Sequence, residues 1–295
     1  METPGHEPDR QLAGAPPLAF APGHFYSPIV DPASLTPLRG ALWPANPTVA
    51  GIDFNDESHR RVLAQWFPRY MRDYDYPEHL DGSTGAARFH TQNSQFTWLD
   101  ARALFVLLRA WRPARVIEVG SGYSSLLIAD VNRRFFGSAI ELTCIEPYPR
   151  PFLRGVEGIS RIIERPVQQV AMDEFRALQA GDILFIDSSH VAKTGSDVNH
   201  LLFEVVPLLA AGVHVHVHDI FLPFDYPADW VLVQNRSWNE QYMLRALLMY
   251  ASSTLRVDFG SSYAFHRFRE LVIAALAHPK GHGFAGGSLW FTKVA

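Results

Sequence analysis

The sequence predicts a doubly wound α/β fold: a seven-stranded, mostly parallel sheet preceded by a helical, partly irregular N-terminal extension. Three observations carry this. From Arg115 onward, short apolar runs alternate with helical patterns, the signature of strands joined by helical crossovers. The first run, Arg115–Val119, enters a Gly120-Ser121-Gly122 turn and then the apolar helical stretch Leu126-Leu127-Ile128-Ala129. The last two runs, about 254–259 and 288–294, pair as an antiparallel hairpin that closes the sheet.

The 295 residues divide into three stretches. Residues 1–50 are rich in Pro, Gly and Ala. Ala15-Pro16-Pro17 and Trp43-Pro44-Ala45-Asn46-Pro47 cannot form regular helix, and the first dozen residues read as disordered. Residues 51–112 form a helical extension or cap. Asn55 or Asp56 caps a helix over about 53–74, which Pro68 kinks or divides, and a polar loop follows over 74–85. A second helix runs from about Thr97 to Arg112, where Thr97-x-x-Asp100 has the spacing of a capping box. Residues 113–295 form the ligand-binding catalytic domain.

Within that domain the strands fall at 115–119, 140–145, 160–164, 182–187, 213–218, 254–259 and 288–294. Helices fall at about 123–135, 168–179, 195–210 and 237–250, the last with the capping box Ser237-x-x-Glu240. There is no internal repeat.

Hydrophobic residues make up 47% of the chain, which indicates a well-packed globular protein. Lys and Arg number 26 against 30 Asp and Glu, with no basic stripe, so a nucleic-acid substrate is not expected. The single cysteine, Cys144, excludes an internal disulfide and suits a reducing compartment. No apolar run approaches the roughly 18–20 residues of a membrane span, and no signal peptide is legible. The expected location is cytoplasmic.

The glycine turn needs unusual backbone angles and lets a ligand approach closely. The helix start behind it offers free N–H groups. Glu118, two residues before Gly120, would oppose a pyrophosphate and suits a ligand with an ammonium group. Glu146 ends the second strand about 24 residues beyond the turn, where an acid reaches ribose hydroxyls. Asp187 ends the fourth strand and His190 follows in its loop. His218 and Asp219 end the fifth. Neighbouring parallel strands bring these four together, a set able to bind a divalent metal or move a proton. His214 and His216 share a strand face with His218 but lie deeper, each to be satisfied by a neighbour.

The stretch Glu118-Val119-Gly120-Ser121-Gly122 resembles motif I of the class I S-adenosylmethionine (SAM)-dependent methyltransferases. That resemblance implies a Rossmann-like fold over about 100–295 and SAM as cofactor. It implies SAM contacts at Glu118, Gly120, Ser121, Gly122, Tyr123, Ser124, Ser125, Glu146, Val167 and Asp187, with Gln168 near the adenine. The Phe185-Ile186-Asp187-Ser188-Ser189-His190 and His216-Val217-His218-Asp219-Ile220 stretches resemble a bacterial small-molecule group, similar to macrolide-sugar and rhamnosyl O-methyltransferases. This closer likeness extends back to about residue 50. It implies His190 as catalytic base and Asp187 and Asp219 as metal ligands. The chain departs at His218, where a Glu is expected, and an imidazole favours Zn²⁺, Fe²⁺ or Mn²⁺ over Mg²⁺. His218 thus stands as a catalytic or metal candidate, or as the partner of a carboxylate in a metal-free site.

The implied function is methyl transfer to an oxygen, less favourably a nitrogen, of a small molecule of specialised metabolism. Two alternatives stand beside it: a SAM-using enzyme that cyclises SAM or transfers its aminocarboxypropyl group, and a non-catalytic SAM-binding protein. The aromatic loop over 221–235 reads as a substrate lid or as packing for the N-terminal segment or a second subunit, so a homo-oligomer is left open. Gln92, Asn93 and Gln95 either fold over SAM or merely turn the chain.

Overall fold

The computed structural model describes residues 17–80, 88–276 and 286–295. The expectation of disorder in the first dozen residues, and the end of the 74–85 loop, lie outside the described residues. Seven strands form one sheet in the order β3-β2-β1-β4-β5-β7-β6. They are β1 Arg115–Val119, β2 Glu141–Ile145, β3 Arg161–Ile163, β4 Ile183–Ile186, β5 His214–Val217, β6 Leu255–Gly260 and β7 Leu289–Lys293. The first five are parallel; β7 runs antiparallel between β5 and β6. The link from β6 to β7 is no tight hairpin turn, since it carries the helices Ser261–Arg267 and Arg269–Leu276.

The side-chain period of two divides the core. Val116, Phe185 and Trp290 face one layer, shared with the helices Trp98–Trp111 and Tyr123–Phe136. Ile117, Leu184, Ile186 and Val217 face the other. The extension packs into the first layer, through Val62, Phe67 and Leu99 to Leu108.

Two helices accommodate an interior proline by the same device. In the stretch from Asp56 to Asp73, a π-helical turn over Val62–Trp66 precedes Pro68, and the Phe67 N–H donates to the Val62 carbonyl. In the stretch from Asp197 to Leu208, a π turn over His200–Val205 precedes Pro207, and the Val206 N–H donates to the Leu201 carbonyl. Widening the helix by one residue before the proline absorbs its missing donor and its ring.

The helix Asp56–Arg61 is capped by Asn55, whose Oδ1 accepts from the Ser58 N–H at 3.3 Å. Asn55 also donates to the Val257 carbonyl of β6 at 3.0 Å. His59 completes this seam. The Gly260 N–H donates to its Nε2 at 2.8 Å, which places the ring proton on Nδ1, facing the Asn55 carbonyl at 3.2 Å. Burial lowers the His59 pKa to about 4, against hydrogen bonds and nearby acids that raise it. The unfolded chain protonates this group near 6.5. Above pH 6.5 both states are neutral. As pH falls from 6.5 toward 4, only the unfolded state gains the proton, so stability falls. Going from pH 7 to pH 4.5, denaturant titrations should show His59→Phe gaining about 2–3 kcal/mol relative to the wild type, the part of the acid response that His59 carries.

Candidate active site

Register builds the site. Val119 pairs with Ile186, and Ile186 with Val217, so the next residues, Gly120, Asp187 and His218, stand side by side at the strand ends. The Asp187 N–H donates to the Val119 carbonyl and the His218 N–H to that of Ile186, each at 2.9 Å. The Glu146 N–H donates to the Ile163 carbonyl at 3.1 Å and extends the row.

Gly120 has φ +83°, and a Cβ there would lie 1.7 Å from the Asp187 carbonyl oxygen. No side chain fits. Gly122 opens the helix Tyr123–Phe136, and its missing Cβ faces Gln95 Oε1 at 3.8 Å. Gln95 thus faces the glycine turn. Asn93 serves the chain instead: its Oδ1 accepts from the Gln95 and Phe96 N–H groups, and its amide donates to the His90 and Phe96 carbonyls.

Glu118 corrects the sequence expectation. Its place on β1 aims it at the layer covered by Tyr123–Phe136, so it is fully buried rather than open to a ligand's ammonium. Ser124 Oγ donates to one oxygen at 2.6 Å and Ser125 Oγ to the other at 2.5 Å, with Cys144 Sγ at 3.4 Å. Burial pushes the Glu118 pKa up to about 7, against these hydrogen bonds. Glu146 lies at the surface of the turn, accepting from the Ser121 N–H at 3.3 Å and the Tyr148 N–H at 2.9 Å. Tyr123 presents its ring edge-on to His90 at 5.3 Å. Val167 is buried in the single turn Val167–Gln169 beyond β3, while Gln168 donates to the Gly195 carbonyl. The buried Ser121 Oγ has no partner. A side-chain-free backbone wall and the adjacent carboxylate of Glu146 together fit SAM.

Beside the turn, six ionisable groups converge. His218 Nδ1 lies 3.5 Å from both Asp187 and Asp219, and its Nε2 lies 3.5 Å from Asp100. His190 Nε2 lies 3.5 Å from the same two aspartates, Asp187 and Asp219, and its Nδ1 donates to Glu240 at 2.9 Å. Donor atoms of Asp187, His218 and Asp219 all fall within 4.8 Å of one another, a geometry that could hold a divalent cation. Burial alone would lower His190, but Glu240, Asp219 and Asp187 raise it to about 9. Burial is likewise outweighed at His218, which Asp187 and Asp219 raise well above the ordinary range. His218 and His190 overcome burial at Asp187 and bring its carboxyl to about 2. Burial pushes Asp219 and Glu240 up. Four carboxyls share two imidazoles, so the cluster carries surplus negative charge suited to a cation.

His190 and Asp219 both have left-handed backbones, φ +61° and +56°, which non-glycine residues adopt at a cost of about 1–3 kcal/mol. The His190 carbonyl accepts from the Asn239 and Glu240 N–H groups and caps the helix Glu240–Leu248. The Asn239 side chain holds Ala192 through its backbone N–H and carbonyl.

Asp100 and Glu240 escaped sequence reasoning as site residues because each occupied the acid position of a capping box. Neither box forms. Thr97 makes no side-chain cap, and Asp100 accepts instead from the Gly287 and Ser288 N–H groups, both at 2.9 Å. Ser237 Oγ accepts from the Val30 N–H, Asn239 is the cap residue, and Glu240 turns to His190. Gly286 is the remaining clue: a Cβ there would strike the Asp100 carboxylate at 2.5 Å.

His214 and His216 stay in the sheet. His214 meets Thr292 Oγ1 at 2.7 Å and stacks on Trp111 at 3.8 Å. His216 meets Ser288 Oγ at 2.9 Å and stacks on Phe185 at 3.8 Å. The loop over 221–235 holds the helix Ala228–Leu232 and packs the N-terminal segment, with Phe221, Tyr226 and Val231 against Val30, Leu35 and Trp43. Trp43 Nε1 donates to the Tyr226 carbonyl at 2.7 Å.

This strand order, with a glycine turn after β1 and an acid after β2, is the Rossmann-like arrangement of class I SAM-dependent methyltransferases. Residues 117–220 match a family model described as a methyltransferase domain. The chain belongs to the same family as an uncharacterized protein of Archaeoglobus fulgidus, 36% identical over 182 residues, 59% of this chain and 79% of that protein. Two solved structures are more distantly similar. One, from Klebsiella pneumoniae and described provisionally as an O-methyltransferase, is 17% identical, covers 89% of this chain and 97% of its own, and has a TM-score of 0.41. The other, a 16S rRNA (adenine(1408)-N(1))-methyltransferase of Catenulisporales acidiphilia, is 12% identical over 69% of this chain and 96% of its own, with a TM-score of 0.28. Scores this low bear no weight on the reaction. Among the described residues, no helix is long and apolar enough to cross a membrane.

Gly120→Ala should destabilise the fold by on the order of 3 kcal/mol and abolish SAM binding, checked by denaturation and calorimetric titration. Glu118→Gln tests the buried acid. A folded-state pKa of about 7 against 4.5 for the free group means the folded state holds the proton longer. The contribution of Glu118 therefore falls as pH rises from 4.5 to 7, by up to about 3 kcal/mol and opposite in sign to that of His59, and the amide variant should differ from the wild type by this component.

Proposed function

We propose that the protein methylates a hydroxyl oxygen of a small molecule, a nitrogen acceptor being less favoured, with His190 taking the acceptor's proton. The carrying observation is that His190 Nε2 faces the strand ends beside the glycine turn while Glu240 holds Nδ1. SAM, when bound, supplies an electrophilic methyl group on its sulfonium. The chain's own work is alignment and proton removal. Gly120 and Gly122 would give the ligand a backbone wall, Glu146 would take the ribose hydroxyls, and Val167 would pack against the adenine. Ser124 and Ser125, tied to Glu118, fix the turn. Trp238, whose ring centre lies 4.4 Å from that of His190, shields the base from water.

Held between Glu240, Asp219 and Asp187, His190 is an imidazolium at neutral pH and cannot accept a proton. Asp187, His218 and Asp219 would hold a divalent cation, and this set favours Mn²⁺, Fe²⁺ or Zn²⁺ over Mg²⁺. Such an ion would supply Lewis acidity toward the acceptor oxygen. With the charges of Asp187 and Asp219 so engaged, His190 would lose two of the groups that hold its proton and would return toward neutrality.

His190→Ala should leave SAM affinity within about threefold and cut turnover by about 10²–10⁴-fold. Glu240→Gln should reduce turnover less. EDTA should abolish turnover and Mn²⁺ restore it. Turnover that survives EDTA in metal-free protein removes the cation from the mechanism, and absent SAM binding overturns the reading entirely.

A further inference from the structure

On the outer side of the extension a small cleft lies among Tyr74, Tyr76, Glu78, Thr91, Trp98 and Arg102, with a volume of about 140 Å³. Arg102 is only 9% exposed. Its Nη1 donates to the Trp98 carbonyl at 3.1 Å, and its guanidinium lies 5.1 Å from the centre of the Tyr74 ring. Its Nε has no partner, and among the described residues no carboxylate forms an ion pair with it. The Tyr74 hydroxyl is likewise buried and unpartnered. Burial pushes the Tyr74 phenol up, so it stays a donor. A buried guanidinium without an anion is costly, and native folds rarely leave one so.

We propose that this cleft binds the carboxylate of a small organic acid, gripped by the Arg102 guanidinium and the Tyr74 hydroxyl. Arg102 offers the planar fork that a carboxylate matches. Tyr74, Tyr76 and Trp98 give the acid's body an aromatic wall. Glu78 also lines the cleft, and its charge disfavours a dianion such as phosphate more than a single carboxylate. The volume is below the roughly 300–1,000 Å³ of drug-sized sites, which limits the ligand to a few heavy atoms. The cleft lies apart from the strand-end cluster but shares a chain segment with it. Gln92 and Trp98 bound the cleft, while between them Gln95 faces Gly122 and Phe96 lies 5.3 Å from His218. Occupancy therefore bears on the segment that covers the glycine turn, whatever reaction follows.

The test is calorimetric titration of the full chain with acetate, L-lactate and inorganic phosphate at constant ionic strength. One of the two carboxylates should bind saturably, and phosphate at least ten-fold more weakly. Arg102→Met should weaken carboxylate binding at least ten-fold, and Tyr74→Phe, which removes only the hydroxyl, at least three-fold. No saturable carboxylate binding in the wild type overturns the proposal. So does binding undiminished in both variants, or phosphate binding more tightly than either acid. Should Arg102→Met fail to fold, Tyr74→Phe alone decides. SAM binding, measured in parallel, keeps failure here distinct from failure of the methyltransferase reading.

Discussion

The site depends on one close approach: the Gly120 backbone lies against the Asp187 carbonyl, where no Cβ could fit. Parallel pairing in register makes that contact unavoidable. With Val119 opposite Ile186 and Ile186 opposite Val217, the chain must leave three adjacent strands at one level. The ligand turn and the acid–histidine cluster are therefore neighbours by construction. Loops elsewhere can vary without separating them, because the hydrogen bonds that set their spacing belong to the sheet.

Around that contact the protein buries acids and equips each with its own donors. Glu118 has two serine hydroxyls, Asp100 has two backbone N–H groups, and Glu240 has an imidazole. Each arrangement also joins parts distant in sequence. Asp100 fixes the entry to β7 beneath His218, and Glu240 joins the helix Glu240–Leu248 to the His190 loop. The left-handed backbones of His190 and Asp219 persist inside this frame because neighbours on several elements hold them.

The sheet was legible in the sequence because its signals are local: apolar runs, a glycine turn, an acid at a strand end. All seven strands lie where the runs put them. The convergence of Asp187, His190, His218 and Asp219 was also legible, since parallel neighbours must share an end. What escaped was non-local. A capping box and a buried site acid have the same spacing, and only the tertiary fold decides which forms. The side of the sheet that Glu118 faces follows from period two, but its covering by Ser124 and Ser125 does not. The 221–235 loop offered a lid or a packing surface, and its aromatic residues pack against Trp43 and Val30. The helices between β6 and β7 were absent from the sequence reading, although Arg269–Leu276 carries an apolar face.

Cys144 sits at the centre of this arrangement, its thiol against Glu118 and beneath the serines of the turn. Burial and the adjacent acid push its pKa up, so in the folded protein it is neither accessible nor ionised. As the chain's only sulfhydryl it cannot react until β1, β2 and the helix over them part. Its rate of alkylation is therefore a native clock for local opening at the cofactor turn, separable from global unfolding, and a ligand that stiffens the turn would slow that clock.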